Sequence, residues 1–296
     1  MKKVILIFLI LAFVSCNKST NDKTETAKDT KSSGQESKVI ADEIQKTESS
    51  EEKNKLLGFY TGDFVAVKYN EQSDFTYNNK ITVSIDSMAG DILHGHSIVA
   101  GNERPFKGKF EFINKTYSAV VSEPGDDKYD GKFTFTIYPD SQKISGVWNS
   151  YKNDILVTER GYDLKKREFI YDKNSNIPDY KDWNTLYEKN PKFPDKIEQI
   201  SGEISKINPS NTLLKKTDID NLYKGDLEVI RNSIYARHGY SFKSRKMRYF
   251  FDNEIDWYMP VSTDVRNELT DIEKKNIELI KRFEEHAENY YDEYGR

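Results

Sequence analysis

The sequence predicts an α+β chain of several domains: an antiparallel β-barrel of about eight strands, then a small three-helix domain. Three observations carry this. Apolar and polar residues alternate with period two from Leu56 to about Tyr171, a helical period takes over in the last eighty or so residues, and prolines crowd the stretch between. The boundaries that follow are a barrel at 56–172, a linker at 173–212 and a helical domain at 213–296, behind a leader at 1–15 and a disordered tether at 16–55.

The leader has Lys2 and Lys3, an apolar run from Val4 to Val14, and a small residue, Ser15, directly before Cys16. That run is shorter than the roughly 20 residues a membrane-spanning helix needs, so it reads as a cleaved export signal. Cys16 is the one cysteine in 296 residues, which rules out an intramolecular disulfide. The stretch resembles a bacterial lipobox, with Phe13 where Leu is usual, and the resemblance implies lipidation of Cys16 by acyl chains such as palmitate. Asn17 to about Asn54 is almost all Lys, Ser, Thr, Asp, Glu and Gln, too polar to offset its ordering entropy. As a flexible tether it reaches roughly 35 Å.

In the barrel, Phe64–Val67, Ile81–Ile85, Phe110–Phe112, Phe133–Ile137 and Ile155–Val157 read as strands. Asn78-Asn79, Ala89-Gly90-Asp91, Gly101-Asn102, Pro124-Gly125-Asp126-Asp127 and Pro139-Asp140 supply turns between them. Gly58-Phe59-Tyr60 and Gly146-Val147-Trp148 resemble the corresponding parts of lipocalin-like barrels. Pro178, Pro191, Pro194 and Pro209 mark the linker.

Leu227, Ile230, Ile234 and His238 share one face of a first helix, which Asp226 can cap and Gly239 can end. Ser244 opens a second helix with Met247, Phe250 and Phe251. Thr270-Asp-Ile-Glu273 is a capping box for a third, whose stripe is Ile272, Asn276, Leu279, Ile280, Phe283 and Ala287.

Lys+Arg number 45 and Asp+Glu 49, and losing Lys2 and Lys3 with the leader takes the formal charge from -4 to -6. An acidic chain with interspersed charges is a poor nucleic-acid binder. The stretch Arg231–Phe242, then Trp257-Tyr258, then Ile272–Ile277, resembles the YARHG domain, whose name is spelled by residues 235–239. Gly95–Asn102, Arg104–Gly108, Glu123–Asp127 and Asp130–Phe133 resemble the β-domain that precedes YARHG in lipoproteins of Bacteroidetes-type bacteria. That resemblance implies a protein of the cell envelope and no particular activity.

Candidate binding residues are Tyr235, Arg237, His238, Tyr240, Trp257 and Tyr258: aromatic rings stack on sugars, and a guanidinium grips a carboxylate. The competing reading, to which this sequence gives more weight, makes them core, with Arg237 and His238 in a polar network around Glu273 or Asn276. His94 and His96 share a strand face but lack further ligands, and Asp126, Asp127 and Asp130 lack calcium-loop spacing, so no metal is expected. Lys243, Arg245, Lys246 and Arg248 read as a solvated helix face before an anion-binding one. No nucleophile elbow, zinc-protease motif or phosphate loop occurs, so neither an enzyme nor a cofactor is expected.

The expectation is therefore a non-catalytic binding or adaptor module, lipid-anchored at the bacterial outer membrane, facing the periplasm or the cell surface. Its partners would be the membrane through the lipid anchor, and peptidoglycan or another envelope glycan or protein. The alternatives are a barrel that carries a small apolar ligand and a structural subunit of an envelope complex.

Overall fold

The computed structural model describes residues 51–69, 78–179, 185–187 and 198–291. The leader, Cys16 and the tether up to residue 50 lie outside the described residues.

Eight strands close into an up-and-down antiparallel barrel: β1 (Gly58–Tyr69), β2 (Asn79–Ala89), β3 (Ile92–Val99), β4 (Asn102–Ile113), β5 (Thr116–Ser122), β6 (Gly131–Tyr138), β7 (Lys143–Ser150) and β8 (Val157–Lys166). Each strand pairs with the next and β8 pairs with β1, so no sheet edge is left open. Alternation places Phe133, Phe135 and Ile137 of β6 inside, while Lys132 and Thr134 face out. Ring contacts among Phe64, Phe106, Phe133, Trp148 and Tyr162 fill the interior. Leu56 packs into one end of this core, and the Tyr60 hydroxyl donates to its carbonyl at 2.9 Å.

Ala100-Gly101 and Asn114-Lys115 both adopt positive φ on two consecutive residues, the geometry of the tightest hairpins. The first pair overlaps the Gly101-Asn102 turn expected from the sequence; the second carries no Gly and escaped it. The expected strand at Ile155–Val157 is in fact only the lip of β8. Its inward residues Val157, Tyr162 and Leu164 are interleaved with charged neighbours that blur the alternation.

After a single helical turn at Glu203–Lys206, three longer helices follow: α1 (Lys224–Arg237), α2 (Arg245–Glu254) and α3 (Asp271–Tyr290). Asp226 sits three residues inside α1, where its carboxylate accepts the Tyr223 backbone N–H at 3.0 Å and both the N–H and the hydroxyl of Ser201. Gly239 (φ +73°) ends α1 as expected, and Thr270 with Glu273 forms the capping box of α3. The buried stripe of α3 differs from the expected one. Asn276, Leu279, Ile280 and Ala287 are buried as expected, but Ile272 is exposed and Glu273 and Ile277 are buried instead, the Glu273 carboxylate being spent on internal hydrogen bonds.

The hydrophobic core of this helical part also takes in Ile177, Ile200 and Ile204, so it gathers residues from the stretch expected to be a linker. Within that stretch β9 (Thr185–Tyr187) and β10 (Glu198–Gln199) pair antiparallel. No described helix is long and apolar enough to cross a membrane.

Barrel and helices meet at a hydrogen-bonded seam. The Lys80 backbone N–H donates to the buried Asp252 carboxylate at 3.0 Å, and the Lys80 ammonium donates to the carbonyls of Ile255 and Tyr258. The Gly101 N–H donates to the Ser241 hydroxyl at 3.0 Å, and a side chain on Gly101 would collide with Lys243. The seam brings α2 against β2 at the barrel end opposite Leu56.

Candidate functional site

Two places gather chemistry-bearing side chains: the last turn of α1 and the open end of the barrel.

At the first, Arg237 is 3% exposed. Its Nε donates to the Ser175 carbonyl at 2.8 Å, and its Nη1 donates to the hydroxyls of Ser233 at 2.8 Å and Ser210 at 3.4 Å. Burial lowers its pKa to about 10. The His238 ring lies 2.8 Å through Nε2 from the Glu273 carboxylate and stacks on Tyr171 at 4.3 Å. Glu273 also accepts from the Tyr171 hydroxyl and from the Thr270 N–H and hydroxyl. Burial pushes Glu273 up, but hydrogen bonds from His238, Ser210 and Thr270 prevail and hold it at about 2. Asn276 donates to the carbonyls of Pro209 and Thr212 and accepts the Leu214 N–H, fastening the upstream segment to α3.

Of the six residues proposed from the sequence, Tyr258 is wholly buried, with its hydroxyl donating to the Tyr240 carbonyl at 2.7 Å. Tyr235 and Tyr240 are half-buried neighbours, 6.1 Å between ring centres. His238 is occupied by Glu273 and Tyr171. Arg237 and Trp257 are brought together: the guanidinium lies 5.7 Å over the indole, and both line a hollow of about 220 Å³ with Arg167, Phe169 and Asp172. The Trp257 N–H donates to the Asn176 carbonyl at 2.7 Å.

The open end of the barrel is larger. A cavity of about 340 Å³ lies between the strand ends and α2. That is within the range of small-molecule sites, about 300–1,000 Å³. Its lining includes the apolar Phe64, Phe133, Trp148 and Val157 and the charged Arg104, Arg160, Arg245, Arg248 and Glu123. The buried Glu123 is pinned: Oε1 accepts from the Ser97 hydroxyl at 3.1 Å, and Oε2 from the Gly131 N–H at 2.7 Å and the Trp148 indole N–H at 3.1 Å. Burial moves its pKa up, against the pull of those donors. Gly131 is required here, since a Cβ would stand 2.5 Å from the Trp148 ring and 2.3 Å from the Asn149 carbonyl.

Arg104 is held by Asp130 at 3.0 Å and Asp127 at 3.2 Å. Arg160 donates to the Phe64 carbonyl at 2.8 Å and lies 5.1 Å over the Phe64 ring. Its pKa falls to about 10, through burial first and the positive charge of Arg248 second. The buried Tyr162 hydroxyl has no hydrogen-bond partner among the described residues, and its ring neighbours Phe64 and Phe133 are cavity walls.

Residues 204–285 match the family model described as the YARHG domain. The helical part of this chain is a YARHG domain. Neither a curated protein nor a solved structure matches the chain. The YARHG match begins upstream of residue 213, in keeping with Ile204 belonging to the helical core. A YARHG domain behind an eight-stranded barrel fits a binding or adaptor module.

The segments that resemble the β-domain preceding YARHG converge on the cavity: Ser97, Arg104, Glu123, Asp127, Asp130 and Gly131 form one hydrogen-bonded rim. Asp130 accepts the N–H groups of Gly125 and Asp127, and Asp127 accepts that of Tyr129, so these acids build a tight turn. His94 is exposed and His96 lies 2.9 Å from Asp86. No group of three or more His, Cys, Asp or Glu able to hold a metal occurs among the described residues.

The basic run divides. Lys246 pairs with Glu228, while Arg245 and Arg248 line the cavity. Sequence reasoning weighed this run chiefly as a solvated face. The spacing of 245 and 248 on one helical side was the available signal. What it lacked was the barrel end opposite them.

Proposed function

We propose that this protein is a lipid-anchored envelope lipoprotein whose barrel binds a small molecule in its open end, without catalysis. Residues 1–16 supply the argument for anchoring, and the polar stretch that follows would lift the barrel off the membrane. The observation that carries the binding reading is the cavity of about 340 Å³, whose lining includes both aromatic rings and arginines. Concave, mostly apolar sites with a few fixed polar groups are where small molecules bind.

A second reading keeps a cell-wall glycan or its peptide stem as ligand of the YARHG domain. It is favoured by the hollow of about 220 Å³ where Arg237 meets Trp257. Against it stands the use of the Arg237 Nε and Nη1 on Ser175, Ser210 and Ser233.

Native mass spectrometry of the full chain extracted from membranes separates the two. The barrel reading predicts a non-covalent small-molecule mass that Val99→Trp, filling the cavity, removes. It is overturned if no such mass is found while Arg237→Ala alone abolishes co-sedimentation with cell-wall sacculi. Cys16→Ser should release the chain from the membrane fraction; retention there would contradict the lipid anchor.

A further inference from the structure

The segment that leaves the barrel is held as a strand without a partner. Arg167 is its last residue to pair with the barrel, the N–H donating to the Phe59 carbonyl at 3.0 Å. Over the next five residues exposure alternates: Glu168, Ile170 and Asp172 face out, Ile170 at 72% exposure, while Phe169 and Tyr171 are half-buried. That is the period of a strand, with Phe, Ile and Tyr, which favour strands, at its centre. Yet no backbone N–H or carbonyl of residues 168–171 has a hydrogen-bond partner among the described residues.

The YARHG signature is what holds it. A Cβ on Gly239 would stand 2.9 Å from the Phe169 ring, so the glycine gives that ring its seat. The Tyr171 ring stacks on His238, and its hydroxyl donates to Glu273 at 3.1 Å. Just beyond, Arg237 and Trp257 donate to the carbonyls of Ser175 and Asn176. One face and the far end are thereby fixed by residues of the matched family domain, although the strand itself lies outside residues 204–285. Hollows of about 220 Å³ and 550 Å³ both reach Arg167, Glu168 and Phe169, which leaves room alongside. A fixed strand with an unpaired row of donors and acceptors is a template for another extended main chain.

The outward side chains select the partner. In a strand pair, residues directly opposite share a face, and a second copy centred on Ile170 would set Glu168 against Asp172 twice, like charge against like. The Glu168 carboxylate has no ion pair or hydrogen bond among the described residues, and that of Asp172 is hydrogen-bonded only to the Asn174 N–H and the Ser175 hydroxyl. We propose that residues 168–172 form a docking strand for an extended polypeptide of a partner protein, one that sets an apolar side chain opposite Ile170 between two cations opposite Glu168 and Asp172. The YARHG signature then serves as the support that keeps this edge in place. The proposal does not depend on the barrel cavity.

The probe is the peptide acetyl-Thr-Lys-Thr-Val-Thr-Lys-Thr-amide, whose two Lys and Val share one face when extended. Titrated calorimetrically into the full chain, it should bind with a Kd below about 1 mM, within reach of a few main-chain hydrogen bonds and one apolar contact, and should slow amide exchange at 168–171. Replacing both Lys by Glu should weaken it about tenfold or more. Successive amides of a strand point to opposite edges, so N-methylating the Thr residues blocks one edge and N-methylating the Lys and Val residues blocks the other. One of the two forms must lose binding. Ile170→Pro should abolish binding as well, at an unaltered melting temperature, because the N–H it removes has no acceptor among the described residues. If that variant folds poorly, Ile170→Lys, at an exposed position, must still weaken the peptide severalfold. Absence of binding, or binding that survives in both methylated forms, overturns the proposal. So does a dimer of the full chain that Ile170→Lys dissolves, since the edge would then belong to a second copy.

Discussion

The last turn of α1 and the open end of the barrel are both rich in arginine and aromatic side chains, yet they use them in opposite ways. In the YARHG signature, Arg237, His238 and Tyr258 are buried and bonded within the chain, each to carbonyls, hydroxyls or a carboxylate a turn or a domain away. At the barrel end, Arg245 and Arg248 line a cavity, on a helix whose Asp252 is buried in the seam and whose Lys246 pairs with Glu228. A motif conspicuous in sequence can therefore be a framework, while an ordinary basic run lines a cavity.

The largest expected effect lies in the framework. Glu273→Ala leaves His238, Tyr171 and the Thr270 N–H without their shared acceptor in a buried place, and should cost about 3–5 kcal/mol in denaturant unfolding. The pH dependence follows from the sign. The folded carboxyl sits at about 2, below its unfolded value, so its contribution is complete above the ordinary glutamate range and is lost as pH falls toward 2. Acid unfolding of the YARHG domain should accordingly begin at higher pH in Glu273→Gln.

Arg237→Ala comes next, at about 2–3 kcal/mol, because it strips hydrogen bonds from Ser175, Ser210 and Ser233 and the cation from Trp257. Binding at the barrel cavity should be unchanged after allowing for any unfolded fraction. A variant that loses ligand but keeps its melting temperature would erase the contrast between the two regions.

The seam gives a smaller effect of opposite sign in pH. Burial raises Asp252 to about 7 in the folded chain, so the folded state holds a proton the unfolded state has lost, and stability from this group declines as pH rises from about 4 to 7. Asp252→Asn should reduce the difference in melting temperature between pH 6 and pH 8 by about 2–4 °C, the shift expected of roughly 1 kcal/mol. A pH difference untouched by the substitution would place its origin elsewhere.

The sequence was informative wherever local rules decide. Period-two runs marked β1, β2, β4 and β6, and the capping box at Thr270 and the αL glycine at 239 marked the helix ends. It misled where polar residues turn inward. The buried stripe of α3 takes in Glu273 in place of Ile272, and β8 hides its alternation among charges. The cavity was the least legible part, because it arises only when residues near 64, 123, 148, 160 and 245 are brought together by barrel closure and by the seam. Of the residues at 235–258 weighed both as a cleft and as core, Arg237 and Trp257 meet at a smaller hollow, while Tyr258 is buried and His238 bonds Glu273.

The most direct test of the central claim is amide hydrogen exchange of the full chain with and without 1-anilinonaphthalene-8-sulfonate. Protection gathered at residues 99–104, 123–131 and 245–248, with 235–239 unaltered, is the predicted result. Protection confined to 235–239 and 257–258 would return the binding site to the YARHG signature and contradict the account.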